Sequence, residues 1–137
     1  MAASVVVDTG PIVALLDADE EHHAWVVAQL ERLRPPLLTC EAVLSEASFV
    51  IGRALSDGPL VPDLVVRGLI SVGHLFDEDA RAIRELMRRY REVPMSLADA
   101  CLVRLVERTP NATLFTLDSD FHIYRQKGRR LIPTIAP

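Results

Sequence analysis

Four carboxylates in this chain sit where a carboxylate is hard to explain. Asp8 ends the β-branched run Val5-Val6-Val7, and Asp118 follows Leu114-Phe115-Thr116-Leu117. Glu46 lies in Ala42-Val43-Leu44-Ser45-Glu46-Ala47-Ser48-Phe49-Val50-Ile51, and Asp99 is the only charge between Ser96 and Arg104. Each has a structural role open to it: Asp8 and Asp118 as caps of the helices that follow, Asp99 as the partner of Ser96 in a capping box. Glu46 resists that explanation. A helix so apolar is expected to be largely buried, and no basic residue lies between Arg34 and Arg53 to pair with the acid. Carboxylates gathered together repel and raise one another's pKa, which implies a cation that offsets the repulsion. An all-oxygen set with no neighbouring cysteine favours Mg²⁺ or Mn²⁺ over zinc. Such a centre suits phosphodiester hydrolysis, in which the ion activates water and stabilises the leaving oxygen. Thr9, Ser96 and Thr116 stand close to the acids in sequence and offer hydroxyls to orient ligands or water. His22 and His23 are adjacent and point apart on a helix, His74 is isolated, and His122 follows the closing acids, where lining the site and a surface role are both open to it.

The elements that must position these acids are legible as alternating strands and helices. Ser4 to Val7 reads as a strand and Gly10-Pro11 as a helix start. Glu20 to Leu33 carries helical spacing and ends at Pro35-Pro36; Leu37 to Thr39 reads as a strand and Glu41 to Leu55 as a helix stopped by Asp57-Gly58-Pro59. A further helix is expected over Pro62 to Val72, then an extended link from Gly73 to Phe76, and then a helix capped by Asp77. Ser96 caps a helix running to about Arg108, Thr113 to Leu117 forms a strand, a helical turn passes through Phe121, and Leu131 to Ile135 is a last strand. Strands separated by helices require crossovers, hence a mostly parallel sheet in a three-layer α/β/α domain, one domain over residues 1–137. In such sheets the functional crevice lies outside the carboxyl ends of the strands, where Asp8 and Asp118 fall.

Composition sets the remaining bounds. A 50% hydrophobic content is enough for a closed core, and no apolar run is long enough to span a membrane. The N-terminal segment is too short and too soon acidic for a signal peptide, so the cytoplasm is the expected compartment. Cys40 and Cys101 lack metal-ligand or redox spacing and read as buried free thiols. The net charge of -4 hides an asymmetry: residues 1–80 hold 13 acidic and 4 basic side chains, residues 81–137 hold 6 and 11. Arg81, Arg84, Arg88, Arg89 and Arg91 form one basic cluster, and Arg125, Lys127, Arg129 and Arg130 another, each open equally to tracking phosphates and to being a solvated helix face.

Taken in order, Val5-Val6-Val7-Asp8-Thr9, Glu46, Ser96-Leu97-Ala98-Asp99-Ala100 and Thr116-Leu117-Asp118-Ser119-Asp120-Phe121 resemble the four acidic motifs of the PIN domain, and in particular of VapC-type toxins. The resemblance spans the chain. It implies a five-stranded parallel sheet flanked by helices, Mg²⁺- or Mn²⁺-dependent cleavage of RNA, a homodimer, and inhibition by a small antitoxin. It assigns metal binding and catalysis to Asp8, Glu46, Asp99 and Asp118. Thr9, Ser96, Thr116 and Asp120 take supporting positions, although the sequence leaves Asp118 and Asp120 open as the fourth ligand. Arg84, Arg88, Arg125 and Arg129 are the candidates to contact RNA. A PIN nuclease that processes RNA for housekeeping and an inactive RNA- or protein-binding module of the same fold are the competing readings. A haloacid-type phosphatase is disfavoured because Gly10 stands where its second aspartate belongs, and a receiver domain because the single lysine, Lys127, is misplaced.

Overall fold

The computed structural model describes residues 4–73 and 76–137. Strand β1 (Ser4–Val7) is central, and its β-branched run suits a strand covered on both faces: Val6 and Val7 are buried. It is followed by helices α1 (Thr9–Leu16) and α2 (His23–Leu30), strand β2 (Leu37–Thr39), and helices α3 (Glu41–Leu55) and α4 (Leu60–Val66). Strand β3 (Ile70–Val72), helices α5 (Phe76–Arg89) and α6 (Leu97–Arg108) and strand β4 (Ala112–Phe115) come next. A short 3₁₀ turn (Ser119–His122) then leads to β5 (Arg125–Gln126), β6 (Arg130–Leu131) and β7 (Thr134–Ile135).

The main sheet runs β3-β2-β1-β4-β7 with every pair parallel, and the helices complete a three-layer α/β/α sandwich. The strand order reverses between β1 and β4, so the chains leaving these two strands diverge and open a crevice between them. Register makes this concrete: Val7 pairs with Phe115, and the Asp8 amide donates to the Phe115 carbonyl at 3.0 Å. The first residues past each strand, Asp8 and Thr116, are thereby neighbours.

The core is built from the inner residues of β1 and β4, the stripe Val43, Ala47 and Ile51 of α3, and Leu102, Val103 and Val106 of α6. Cys40 and Cys101 are buried and free, as expected. Four local expectations need correction. The helix expected over Pro62 to Val72 stops at Val66, because Gly68 turns the chain with φ of +80° and Ile70–Val72 then pairs beside β2. Apolar residues resume at Leu69 after only Arg67-Gly68, and a short apolar run reads alike as helix or strand. The last strand is divided: Arg130–Leu131 closes an antiparallel hairpin with β5, and Thr134–Ile135 forms the sheet edge. The three-residue connection Lys127 to Arg129 carries Lys127 and Gly128 at positive φ and is closed by the Arg129 amide donating to the Gln126 carbonyl at 3.2 Å. The second helix is shorter than the span Glu20–Leu33, and Asp77 lies in the first turn of α5. His74, expected in an extended link, lies outside the described residues.

Candidate active site

Asp8 is both the cap of α1 and an acid of the crevice. One carboxylate oxygen accepts from the Thr9 amide at 2.7 Å and the other from the Thr116 hydroxyl at 2.8 Å. It is only 6% exposed. Burial pushes its carboxyl up to about 6, against the lowering effect of those two hydrogen bonds, and the charges of Asp99 and Asp118 add to the rise. The close approach of α1 to the chain after β4 depends on Gly10, where a Cβ would meet the Leu117 side chain at 3.2 Å.

Thr116 joins two of the acids. Its hydroxyl donates to Asp8 and accepts from the Asp118 amide at 2.9 Å. Asp118 in turn caps the 3₁₀ turn, its Oδ1 accepting from the Asp120 amide at 2.9 Å. Asp99 closes the capping box expected for α6: its amide donates to Ser96 Oγ at 3.0 Å and its Oδ2 accepts from the Ser96 amide at 3.3 Å. Burial raises the Asp99 carboxyl, partly offset by hydrogen bonds from Ser96 and Tyr124, and the charge of Asp118 raises it further. The structural roles weighed for these three aspartates are therefore real, and they do not compete with a place in the crevice. Capping is what orients each carboxylate.

Glu46 requires a correction. Its helix is not largely buried: Val43, Ala47 and Ile51 turn inward, while Glu46 is exposed together with Phe49 and Val50. The apolar character of α3 belongs to a second, outward face. Glu46 nevertheless reaches the crevice, where its Oε1 accepts from the Thr9 hydroxyl at 2.8 Å.

Asp8, Glu46, Asp99, Asp118 and Asp120 line one cleft of about 630 Å³ with Thr9, Gly10, Pro94, Ser96, Leu117 and Ser119. No lysine or arginine is among these lining residues. Arg84 and Arg88 are exposed and pair with Glu85, and Arg129 is exposed. The Arg125 guanidinium is engaged by the carbonyls of His122, Ile123 and Tyr124. His22, His23 and His122 also lie outside the cleft lining, and His23 Nδ1 sits 2.6 Å from the Ala14 carbonyl.

The donor set fits a hard divalent cation in kind, because it is all oxygen and its negative charge is uncompensated within the cleft lining. Among the described residues no three His, Cys, Asp or Glu side chains are grouped to hold an ion as they lie. Tyr124 escaped the sequence reading. It is buried behind the cleft and its hydroxyl donates to Asp99 Oδ2 at 3.0 Å. The only local signal was an aromatic residue four positions beyond Asp120.

A parallel α/β/α sheet that delivers acids from two adjacent strand ends, and draws in two more from flanking helices, defines an acidic-cleft α/β domain. The PIN domain model matches residues 5–127, and the chain belongs to that family. Among solved structures it is similar to VapC20 of Mycobacterium tuberculosis, described as a sarcin-ricin loop cleaving toxin. The two superpose with a TM-score of 0.78 at 19% identity, over 85% of this chain and 92% of that one, a likeness of fold. No curated protein matches the sequence significantly.

Proposed function

We propose that this protein is a Mg²⁺- or Mn²⁺-dependent endoribonuclease, working in the cytoplasm as the toxin of a toxin–antitoxin pair and restrained by a small antitoxin. The observation that carries the reading is the cleft itself: five carboxylates at the strand-order reversal with no basic side chain among the lining. A phosphodiester would be repelled from such a cleft without a cation. The fold it shares with a toxin described as cleaving the sarcin-ricin loop supports the choice of RNA.

In this reading Asp8, Glu46, Asp99 and Asp118 hold the cation, which when bound activates water and stabilises the leaving oxygen. Thr9 fixes Glu46, and Thr116 ties Asp8 to the turn that carries Asp118. Ser96 caps the helix that presents Asp99. Asp118 is favoured over Asp120 as the fourth acid because its charge acts on both Asp8 and Asp99. Asp120 lies two residues later and donates its amide to Asp118, a place from which it orients water or its neighbour. Arg84, Arg88 and Arg129 are exposed to meet phosphates outside the cleft, whereas Arg125 contributes through the turn that it braces.

Cleavage of a labelled single-stranded RNA, with Mn²⁺, with Mg²⁺ and with chelator, tests the proposal. Activity should need either ion and fall to background in Asp8→Asn and Asp118→Asn, while Asp120→Asn should lose about 10- to 100-fold, the usual cost of a supporting partner. Cleavage that survives both chelator and Asp8→Asn would overturn the metal mechanism. A greater loss in Asp120→Asn than in Asp118→Asn would exchange their roles.

A further inference from the structure

Behind the acid cleft, the Tyr124 ring packs edge-on against Tyr90, with centroids 5.1 Å apart, and against Phe121 at 5.2 Å. The residue is fully buried, so its hydroxyl has no water to turn to and must find a partner within the protein. That partner is Asp99 Oδ2, at 3.0 Å. The Ser96 amide reaches the same oxygen at 3.3 Å. Two donors from the protein side thus occupy Oδ2, while Asp99 lines the cleft and its Oδ1 makes no hydrogen bond to the described residues.

A phenylalanine would fill the same space and make the same ring contacts. The hydroxyl therefore adds something other than packing: it locks the rotation of the Asp99 carboxylate. Tyr90 provides a contrast in the same aromatic cluster, because its hydroxyl accepts from the Arg125 amide at 3.0 Å and serves the chain leading into the β5–β6 hairpin.

We propose that Tyr124 is a positioning residue that holds Asp99 with Oδ1 turned to the cleft, where it meets a divalent cation. The inference rests on the metal-dependent reading above. A carboxylate free to rotate would lose orientation on binding the ion, so removing the hydroxyl weakens binding even though every acid remains.

Calorimetric titration of the full chain with Mn²⁺ alone, without RNA, tests it on wild type, Tyr124→Phe and Tyr90→Phe. We expect wild type to bind, Tyr124→Phe to bind about 10- to 100-fold more weakly, and Tyr90→Phe to match wild type. Wild-type affinity in Tyr124→Phe would overturn the positioning role while leaving the metal reading intact. Equal weakening in both variants would also overturn it, since the hydroxyls would then act through the aromatic cluster in general. Failure of wild type to bind millimolar Mn²⁺ would remove the metal reading and the inference together. The RNA assay adds a second readout: in Tyr124→Phe the Mn²⁺ concentration for half-maximal cleavage should rise by the same factor, with the rate largely recovered at saturating metal.

Discussion

Asp8 is held where its own charge is unwelcome. Its folded carboxyl is raised from 3.8 to about 6 by burial, with Asp99 and Asp118 contributing. Below pH 3.8 the group is protonated in both folded and unfolded states and costs nothing. As the pH rises through 6 the folded state must ionise it, and the stability lost approaches roughly 3 kcal/mol at about 1.4 kcal/mol per pKa unit. Asp8→Asn removes that cost and keeps the capping oxygen, and the Thr116 hydroxyl is free to accept where it now donates. The metal-free variant should therefore melt above wild type at pH 8, and the gap should close at pH 4. Mg²⁺ or Mn²⁺ should raise the wild-type melting temperature by binding the folded state, and raise that of the variant less. Melting curves at the two pH values decide this: a gap of equal size at both would mean that Asp8 is not the strained group.

At the scale of elements, α5 and α6 are joined chiefly through one buried acid, with exposed Glu78 also 3.7 Å from Arg108. Asp79 on α5 is buried and receives Arg104 and Arg108 of α6, each at 2.9 Å. Burial acts to raise its carboxyl, but the hydrogen bonds and charges of the two guanidinium groups outweigh it and hold it below the ordinary range. The stabilisation is thus present above pH 3.8 and lost as the pH falls through the lowered folded value. Asp79→Ala would leave two arginines facing each other without their shared partner. Because both keep some solvent, the cost should be about 2 kcal/mol, below the 3–5 kcal/mol of a fully buried broken pair. Urea unfolding measures it; a change under 0.5 kcal/mol would show that the pair is decorative.

At the scale of the molecule, two of the surfaces that the described residues leave uncovered bear on function. One is the acid cleft. The other is apolar and belongs to α3 and α4, where Phe49 is 66% and Val66 83% exposed beside half-exposed Leu55 and Val65. The Arg53 guanidinium lies 5.7 Å from the Phe49 ring centre, a contact that leaves most of the ring in solvent. Exposed apolar residues gathered on two packed helices suit association, and we propose that the chain forms a homodimer with part of this face. Light scattering at tens of micromolar should give twice the monomer mass, and Phe49→Glu or Val66→Glu should return it to one without lowering the melting temperature by more than a few degrees. A wild-type monomer under those conditions would leave the face to a different partner, such as the antitoxin.

The acids themselves were legible in the sequence because each is marked locally. A carboxylate at the end of a β-branched run, or alone in an apolar helix, stands out from its neighbours, and parallel topology then fixes which edge of the sheet it reaches. Asp8 and Asp118 fell there for that reason, and the capping role of Ser96 was equally local. Glu46 lines the cleft although its helix is not buried as expected: the sequence shows that α3 is apolar, but not that one apolar face is outward. Strand β3 was lost because an apolar run reads alike as helix or strand until a neighbouring strand supplies hydrogen bonds. The bond from Tyr124 to Asp99 and the bridge of Thr116 between Asp8 and Asp118 join residues whose meeting depends on strand register and helix packing. Sequence by itself determined which groups carry charge and which elements bear them, since those are properties of short segments. Only the tertiary structure decided which carboxylate oxygens are tied back to the protein, because hydrogen-bond direction across distant segments is set by packing and has no local signature.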